Sequence, residues 1–313
     1  MIRRRHAVVS LVLPCLLTMP GVIFAFGQPR PASDAVAAGQ AALARKDYGV
    51  AASTARSILE RQPQSAGALY LLARALEGLR QPRLSLEWFT KAAAVAPPTG
   101  EDLRIVALDY VQLNDNADAL RWLSRSVGRS PENAEAWYDL GRVRMTQGDM
   151  SGARAPLETS LRLSPHLAKA ANNLGLVEEA EGHPRAAEQR FREAIAWQAG
   201  TVQPSEQPLL NLGSLLLSEQ HGSQAVPLLE QATALSPGDP KCHEGLARAY
   251  DQQGRPKEAV VEMARAVELA SSDAHLHFQL GQLYRRTGQA DLARQELKRS
   301  RELYGEHSNE LQP

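Results

Sequence analysis

From residue 32 onwards, small and large apolar residues return at fixed places every 34 positions. The pair Leu140-Gly141 recurs at Leu174-Gly175, at Leu212-Gly213 after four extra residues, and at Leu280-Gly281. Extended both ways, this register divides the chain into units at 32–65, 66–99, 100–133, 134–167, 168–201, 206–239, 240–273 and 274–307, with an insertion at 202–205. The eighth place is always small: Gly39, Ala73, Ala107, Gly141, Gly175, Gly213, Ala247 and Gly281. So is the twentieth, which holds Ala51, Ser85, Ala119, Ala153, Ala187, Ala225, Ala259 and Ala293. Large residues stand beside them, for example Leu140, Leu174 and Leu212 at place seven and Leu157, Phe191 and Leu229 at place 24. A small residue on each of two antiparallel helices lets the backbones approach while large neighbours fill the seam, so the pattern predicts one helical hairpin per unit. Gly148, Gly182, Gly254 and Gly288 mark the turn inside the hairpin. Pro82, Pro184 and Pro256 follow where a first helical turn tolerates a missing N–H, and Pro63, Pro97, Pro131, Pro165 and Pro237 stop the second helix.

The run AWYDLGRVRMTQGDMSGARAPLETSLRLSP, with the units that share its pattern, closely resembles the tetratricopeptide repeat family. That resemblance implies an all-α fold, a right-handed superhelical solenoid of eight helix-turn-helix units whose first helices line a concave groove. No unit buries its apolar face alone, so neighbours complete each other's cores. The first unit departs from the pattern at Ala38, Ala55 and Ile58, which suits a terminal cap. The segment QAGTVQPSEQP at 198–208 is expected to change the superhelical pitch or act as a hinge. Pro156 and Pro227 fall inside second helices and are each expected to forfeit one backbone bond on an exposed face. Lys298, Arg299, Arg301 and Glu302 are expected to make the last helix its own polar cap, ahead of a tail at 308–313.

Residues 1–27 differ from all that follows. Arg3, Arg4 and Arg5 precede the uncharged run VVSLVLPCLLTMPGVIFAFG, which reads as an export signal cut between Gly27 and Gln28, with a linker at 28–31. This predicts an exported protein, periplasmic or secreted. The alternative is an uncleaved membrane anchor, since Ala7 to Phe26 carries no charge and is about long enough to span a bilayer.

Charge narrows the partner. The 313 residues hold 35 Lys+Arg and 35 Asp+Glu, and without residues 1–27 the balance becomes slightly acidic. With no basic stripe after residue 5, nucleic acid is not an expected ligand. Cys15 lies in the signal, leaving Cys242 without a disulfide partner. No GxSxG, GxxxxGK or CxxC motif occurs. His243-Glu244 opens an HExxH-like string, but Ala247 stands where the second histidine would be, and His275 and His277 are two apart on a predicted helix and diverge. His243 and His277 share the fourth place with Trp137 and Leu103, and read as packing residues with a polar tip. No catalytic residue, metal site or cofactor is assigned.

The resemblance places Tyr70, Arg74, Arg104, Tyr138, Arg142, Asn172, Asn173, Asn211, Arg248 and Phe278 on the concave side. Amides donate and accept at once and so can pair with an extended peptide backbone; the arginines can take carboxylates and the tyrosines give apolar contact. The family's carboxylate-clamp set of Lys and Asn is absent. The expected function is a non-catalytic scaffold or adaptor that binds a peptide or partner helix in the groove. The alternatives are a membrane-tethered assembly or secretion factor and, more remotely, the non-catalytic arm of an enzyme complex.

Overall fold

The structure, a computed structural model, describes residues 32–310. The expected signal with its Gly27–Gln28 junction, the linker at 28–31, the apolar run at 7–26 and Cys15 all lie outside the described residues. Sixteen helices are described, in eight consecutive hairpins. They are α1 (Ala32–Ala44) with α2 (Tyr48–Arg61), α3 (Ala66–Gly78) with α4 (Pro82–Val95), α5 (Gly100–Gln112) with α6 (Asn116–Arg129) and α7 (Ala134–Thr146) with α8 (Met150–Leu163). The series continues with α9 (Ala168–Ala180) and α10 (Pro184–Gln198), α11 (Gln207–Ser218) and α12 (Gly222–Leu235), α13 (Pro240–Gln252) and α14 (Pro256–Leu269), and α15 (Ala274–Arg286) and α16 (Ala290–Glu310).

Local chemistry starts and stops these helices. Asp47, Asp115 and Asp149 accept the third backbone N–H of α2, α6 and α8, and Thr99 with Asp102 forms a reciprocal capping box on α5. Pro82, Pro184 and Pro256 sit at the first positions of α4, α10 and α14, as the spacing predicts. Each hairpin turn passes through one residue in the left-handed region. Gly148, Gly182, Gly254 and Gly288 do so at φ between 69° and 79°, while Lys46, Arg80, Asn114 and Gln220 adopt φ of 60–64° at the same place. The sequence marks only the four glycine turns; the others carry the strain of a side chain where glycine has none. Arg80→Gly and Gln220→Gly are each expected to raise the urea midpoint by an amount worth roughly 0.5–1 kcal/mol, and a fall in either would show that the side chain, not the backbone, decides the turn.

Within a hairpin the small eighth place faces place 24. A Cβ added to Gly175 would stand 2.5 Å from the Phe191 ring, and one on Gly141 2.7 Å from Leu157. Phe191, Leu157, Leu123 and Leu229 are fully buried in these seams. Between hairpins, α1, α3, α5, α7, α9 and α11 each pack on the next member of the series and α13 meets α15 through Glu244 and Gln279, whereas among the described residues the second helices do not pack on one another in this way. The first helices therefore converge and the second helices splay, which puts the first helices on the inner, concave side.

The insertion does not interrupt the packing. One apolar cluster runs from Ala187 and Phe191 through Leu209 and Leu212 to Cys242 and Leu246. The extra residues loop outwards and are closed at their base by Gln198, whose side-chain amide donates to the Ser205 carbonyl at 2.6 Å and accepts from the Ser205 N–H at 3.0 Å. Pro156 is inside α8 and, contrary to expectation, buried; Pro227 is inside α12 and exposed. The difference follows from register, since Pro156 directly precedes the seam residue Leu157. Helix α16 runs to Glu310, beyond the expected end of the last unit, and Lys298, Arg299, Arg301 and Glu302 are exposed on it.

Candidate protein-binding groove

The inner face is stitched from unit to unit by polar side chains of the first helices. At place five of one unit and place six of the next, Arg104 donates to Asp139 at 2.6 Å, Asn211 to Asn172 at 2.9 Å and Gln279 to Glu244 at 2.9 Å. Tyr138 and Asn173 occupy the same two places on adjacent first helices. Near the other end of the helices, Gln112 donates to Glu77 at 2.8 Å, Gln252 to Gln220 at 3.1 Å, and Arg286 meets Asp251 at 2.7 Å.

Several residues expected to meet a ligand are therefore engaged within the protein. Arg74 places Nε and Nη2 on Asp102 at 3.0 and 2.7 Å. Arg104 is held by Glu101 at 2.8 Å as well as by Asp139. Burial acts to lower the Arg104 pKa, but the Glu101 hydrogen bond and the Asp139 charge outweigh it and hold the value above the usual arginine range. Burial likewise acts to raise Glu101, and bonds and charge from Arg104, with Asn133, bring that carboxyl below its ordinary range. The buried Tyr70 donates its hydroxyl to the Ala96 carbonyl at 2.7 Å, and its pKa is raised by burial and then by Asp102. Asn172 is buried and pairs with Asn211.

The rest stay accessible. Tyr138 is half-buried, its pKa raised chiefly by burial, and Lys169 lies over its ring at 4.4 Å. Arg142 reaches Asp139 only at 3.5 Å, and Asn173 is half-buried beside it. Arg248 is exposed and pairs with no acid among the described residues; Phe278 is 45% exposed. Arg248 and Phe278 line one hollow, with Met263 and Leu283 beneath.

The histidines behave as packing residues. His243 is buried with Nδ1 2.7 Å from Glu262 and Nε2 3.1 Å from the Pro237 carbonyl. One unit on, His277 repeats this with Glu296 at 2.5 Å and the Ser271 carbonyl at 3.0 Å. Both ring nitrogens are thus engaged in each case, which leaves none to ligate a metal. Trp137 Nε1 donates to the Pro131 carbonyl from the same place in its unit. Cys242 is fully buried, and burial pushes its thiol up to about 12, which opposes reactivity. Glu178, Glu181 and His183 lie close together, but the Arg154 guanidinium already bridges the two carboxylates.

One buried polar group is missed by the sequence reading. Asp109 on α5 is 0% exposed, and neither carboxylate oxygen has a hydrogen-bond partner among the described residues. It faces Ser85 on α4 and Glu77 on α3, and burial raises its pKa to about 8. The signal was present: place ten is otherwise Ala41, Ala75, Val143, Val177, Leu215, Ala249 and Leu283, and Ser85 is the one polar residue at place twenty.

Fold and inner face define a helical-repeat scaffold for protein interaction. The chain belongs to the tetratricopeptide repeat family, whose sequence patterns match residues 36–100, 107–168, 216–277 and 274–307. Protein FlbA of Caulobacter vibrioides (strain ATCC 19089 / CIP 103742 / CB 15) is 30% identical over 135 residues, 42% of this chain and 23% of that protein. The chain therefore spans less than a quarter of the length of the curated relative it matches. Among solved structures, the APC/C hetero-tetramer Cut9-Hcn1 superposes with a TM-score of 0.65 at 17% identity, over 86% of this chain and 52% of that one. Pseudomonas aeruginosa pilF gives a TM-score of 0.58 at 22% identity, over 68% and 95%. At these identities the likeness is one of fold.

Proposed function

We propose that this protein is a non-catalytic scaffold that holds an extended segment or helix of a partner protein along its inner face. The observation that carries the reading is the stretch of groove from Tyr138 to Asn211. There an aromatic face, a loosely held arginine and half-buried amides follow one another on adjacent first helices. Each amide uses only part of its bonding capacity in the stitch between units, so it retains donors and acceptors for a peptide backbone. Arg74 and Arg104 serve this surface indirectly, by fixing the spacing of the helices that carry it.

The test is affinity capture with mass spectrometry, comparing the wild type with a variant carrying Tyr138→Ala, Arg142→Ala, Asn173→Ala and Asn211→Ala. Partners recovered with the wild type are expected to be lost, while the far-UV circular dichroism stays helical. Loss of the Asn211–Asn172 bond costs roughly 0.5–1.5 kcal/mol, which an eight-unit solenoid tolerates. Undiminished recovery of the same partners would place the binding surface elsewhere.

A further inference from the structure

We propose that Arg248 anchors the bound segment through one of its acidic side chains, a glutamate or aspartate, whose apolar neighbour in sequence enters the hollow between α13 and α15. The proposal rests on the groove reading and names the chemistry that this end of the inner face selects. Three units carry arginine at place nine of the first helix: Arg74, Arg142 and Arg248. The chain neutralises the first two by different routes. Asp102, at place three of the following unit, meets Arg74 at 2.7 Å, and Asp139, at place six of the same unit, meets Arg142 at 3.5 Å. Around Arg248 both routes are closed, since Leu276 stands at place three of the next unit and Gly245 at place six of its own. The acids of α13 one turn before and after it are both turned to α15. Glu244 accepts from Gln279 at 2.9 Å, and Asp251 meets Arg286 at 2.7 Å. Arg248 is exposed and, among the described residues, meets no acid and makes no hydrogen bond.

This guanidinium opens beside a hollow of about 180 Å³ floored by Ala247, Met263 and Leu283, each at most 3% exposed, and walled by Phe278. Asp251 and Arg286 also line the hollow and neutralise one another, so Arg248 sets the sign of its charge. A space of this size takes one side chain, well below the roughly 300 Å³ at which small-molecule pockets begin. An apolar pocket beside one unmet positive charge selects two residues together, one apolar to enter and one acidic to close over the rim. A carboxylate takes two N–H groups of a guanidinium at once, which fixes the register of the segment as well as holding it. Arg74 and Arg142 already have an acid each, so preference for a carboxylate concentrates at Arg248.

The test uses the full chain and N-acetylated, C-amidated peptides of about ten residues, long enough to cross the hollow when extended. They share an alanine-serine background and differ only at a central pair: Leu-Glu, Leu-Gln, Leu-Lys or Ala-Glu. NMR titration is expected to show Leu-Glu binding roughly tenfold more tightly than Leu-Gln, the worth of about one charge-assisted pair, with Leu-Lys and Ala-Glu also weaker than Leu-Glu. The glutamate preference is expected to shrink between about 50 and 300 mM salt. In R248Q the Leu-Glu and Leu-Gln peptides are expected to bind equally, and R248E is expected to prefer Leu-Lys. F278A is expected to weaken Leu-Glu and Leu-Gln by the same factor. Arg248 is exposed and unpartnered, so its variants are expected to keep the far-UV circular dichroism of the wild type. The proposal is overturned by no binding of Leu-Glu at about 1 mM, by equal binding of Leu-Glu and Leu-Gln to the wild type, or by a glutamate preference that survives in R248Q. It is also overturned if a Leu-Gln peptide with a free C-terminus outbinds amidated Leu-Glu, which would make a chain end the ligand. Arg248 lies outside the four-residue groove variant, so loss of partner capture there and loss of the glutamate preference here are separate outcomes.

Discussion

Replacing Asp109 with valine is expected to stabilise the protein by about 1–3 kcal/mol near pH 8, the penalty of a buried polar group left without partners. Valine is what the two following units hold at this place, as Val143 and Val177, both buried to within 1%. Among the described residues the wild-type carboxyl has no hydrogen-bond partner, and the hydroxyl of Ser85, which it faces, is already committed, donating to the Ala73 carbonyl at 2.9 Å. The other titratable group facing Asp109 is Glu77 on α3, whose own pKa is raised by burial and whose negative charge further disfavours ionising Asp109. Arg104 and Arg80 act on Glu77 with the opposite sign.

The pH dependence follows from the proton count. The folded chain keeps the Asp109 proton up to about pH 8, whereas the unfolded chain releases it near the ordinary value of 3.8. Between those limits the unfolded state binds fewer protons, so this group's contribution falls as pH rises and levels off above pH 8. The stability gained by D109V over wild type is therefore expected to grow between pH 5 and 8.5 in urea unfolding. Asp109→Asn, which keeps the shape and cannot ionise, is expected to remove the same slope while leaving an unsatisfied amide. Destabilisation by valine, or a gap independent of pH, would mean that the carboxyl is partnered in solution.

The hairpins were legible because close helix packing imposes one requirement at one place in every unit. Gly175 must be small where the Phe191 ring fills the seam, and Gly141 where Leu157 does, so the period survives even though the residues between vary. The turns were half legible, because glycine marks a left-handed position but does not monopolise it: Lys46 and Arg80 adopt the same conformation without a sequence signal. The inner face was legible as a location and not as chemistry. Reading one unit at a time, Arg104 and Asn172 are unattached polar groups on a groove. Their partners, Asp139 and Asn211, lie 35 and 39 residues away on the next first helix, the longer interval being the one that crosses the four-residue insertion. Complementarity between place five and place six of successive units is a property of pairs, and no single position displays it. Asp109 was missed for the opposite reason: the apolar character of its place shows only when all units are aligned on it, and one exception among them carries the information.

Of the inner-face stitches, Asp139 is expected to be the most costly to remove. Its carboxylate is 6% exposed and holds Arg104 at 2.6 Å and Arg142 at 3.5 Å. Asp139→Ala leaves Arg104, itself only 17% exposed, with Glu101 as its one remaining acid and takes the acid from Arg142 as well, so the expected cost is about 2–4 kcal/mol. Glu101 still meets Arg104 at 2.8 Å, but it lies on the same helix and cannot bridge α5 to α7. Arg74→Ala is the informative contrast. It also removes an inner-face ion pair, yet the partner Asp102 keeps its bonds from the Thr99 N–H at 2.8 Å and hydroxyl at 2.6 Å, so the stranded charge remains satisfied and the expected loss is about 1.5–3 kcal/mol. Because stability in a solenoid is a sum over units and interfaces, the Asp139→Ala loss is expected to concentrate between the third and fourth units, with hydrogen exchange accelerated across α5–α7 and little changed in α13–α16. Equal costs for Asp139→Ala and Arg74→Ala would show that the Arg104 pair behaves as a solvated surface bridge, and that the spacing of the inner face is set by the apolar seams alone.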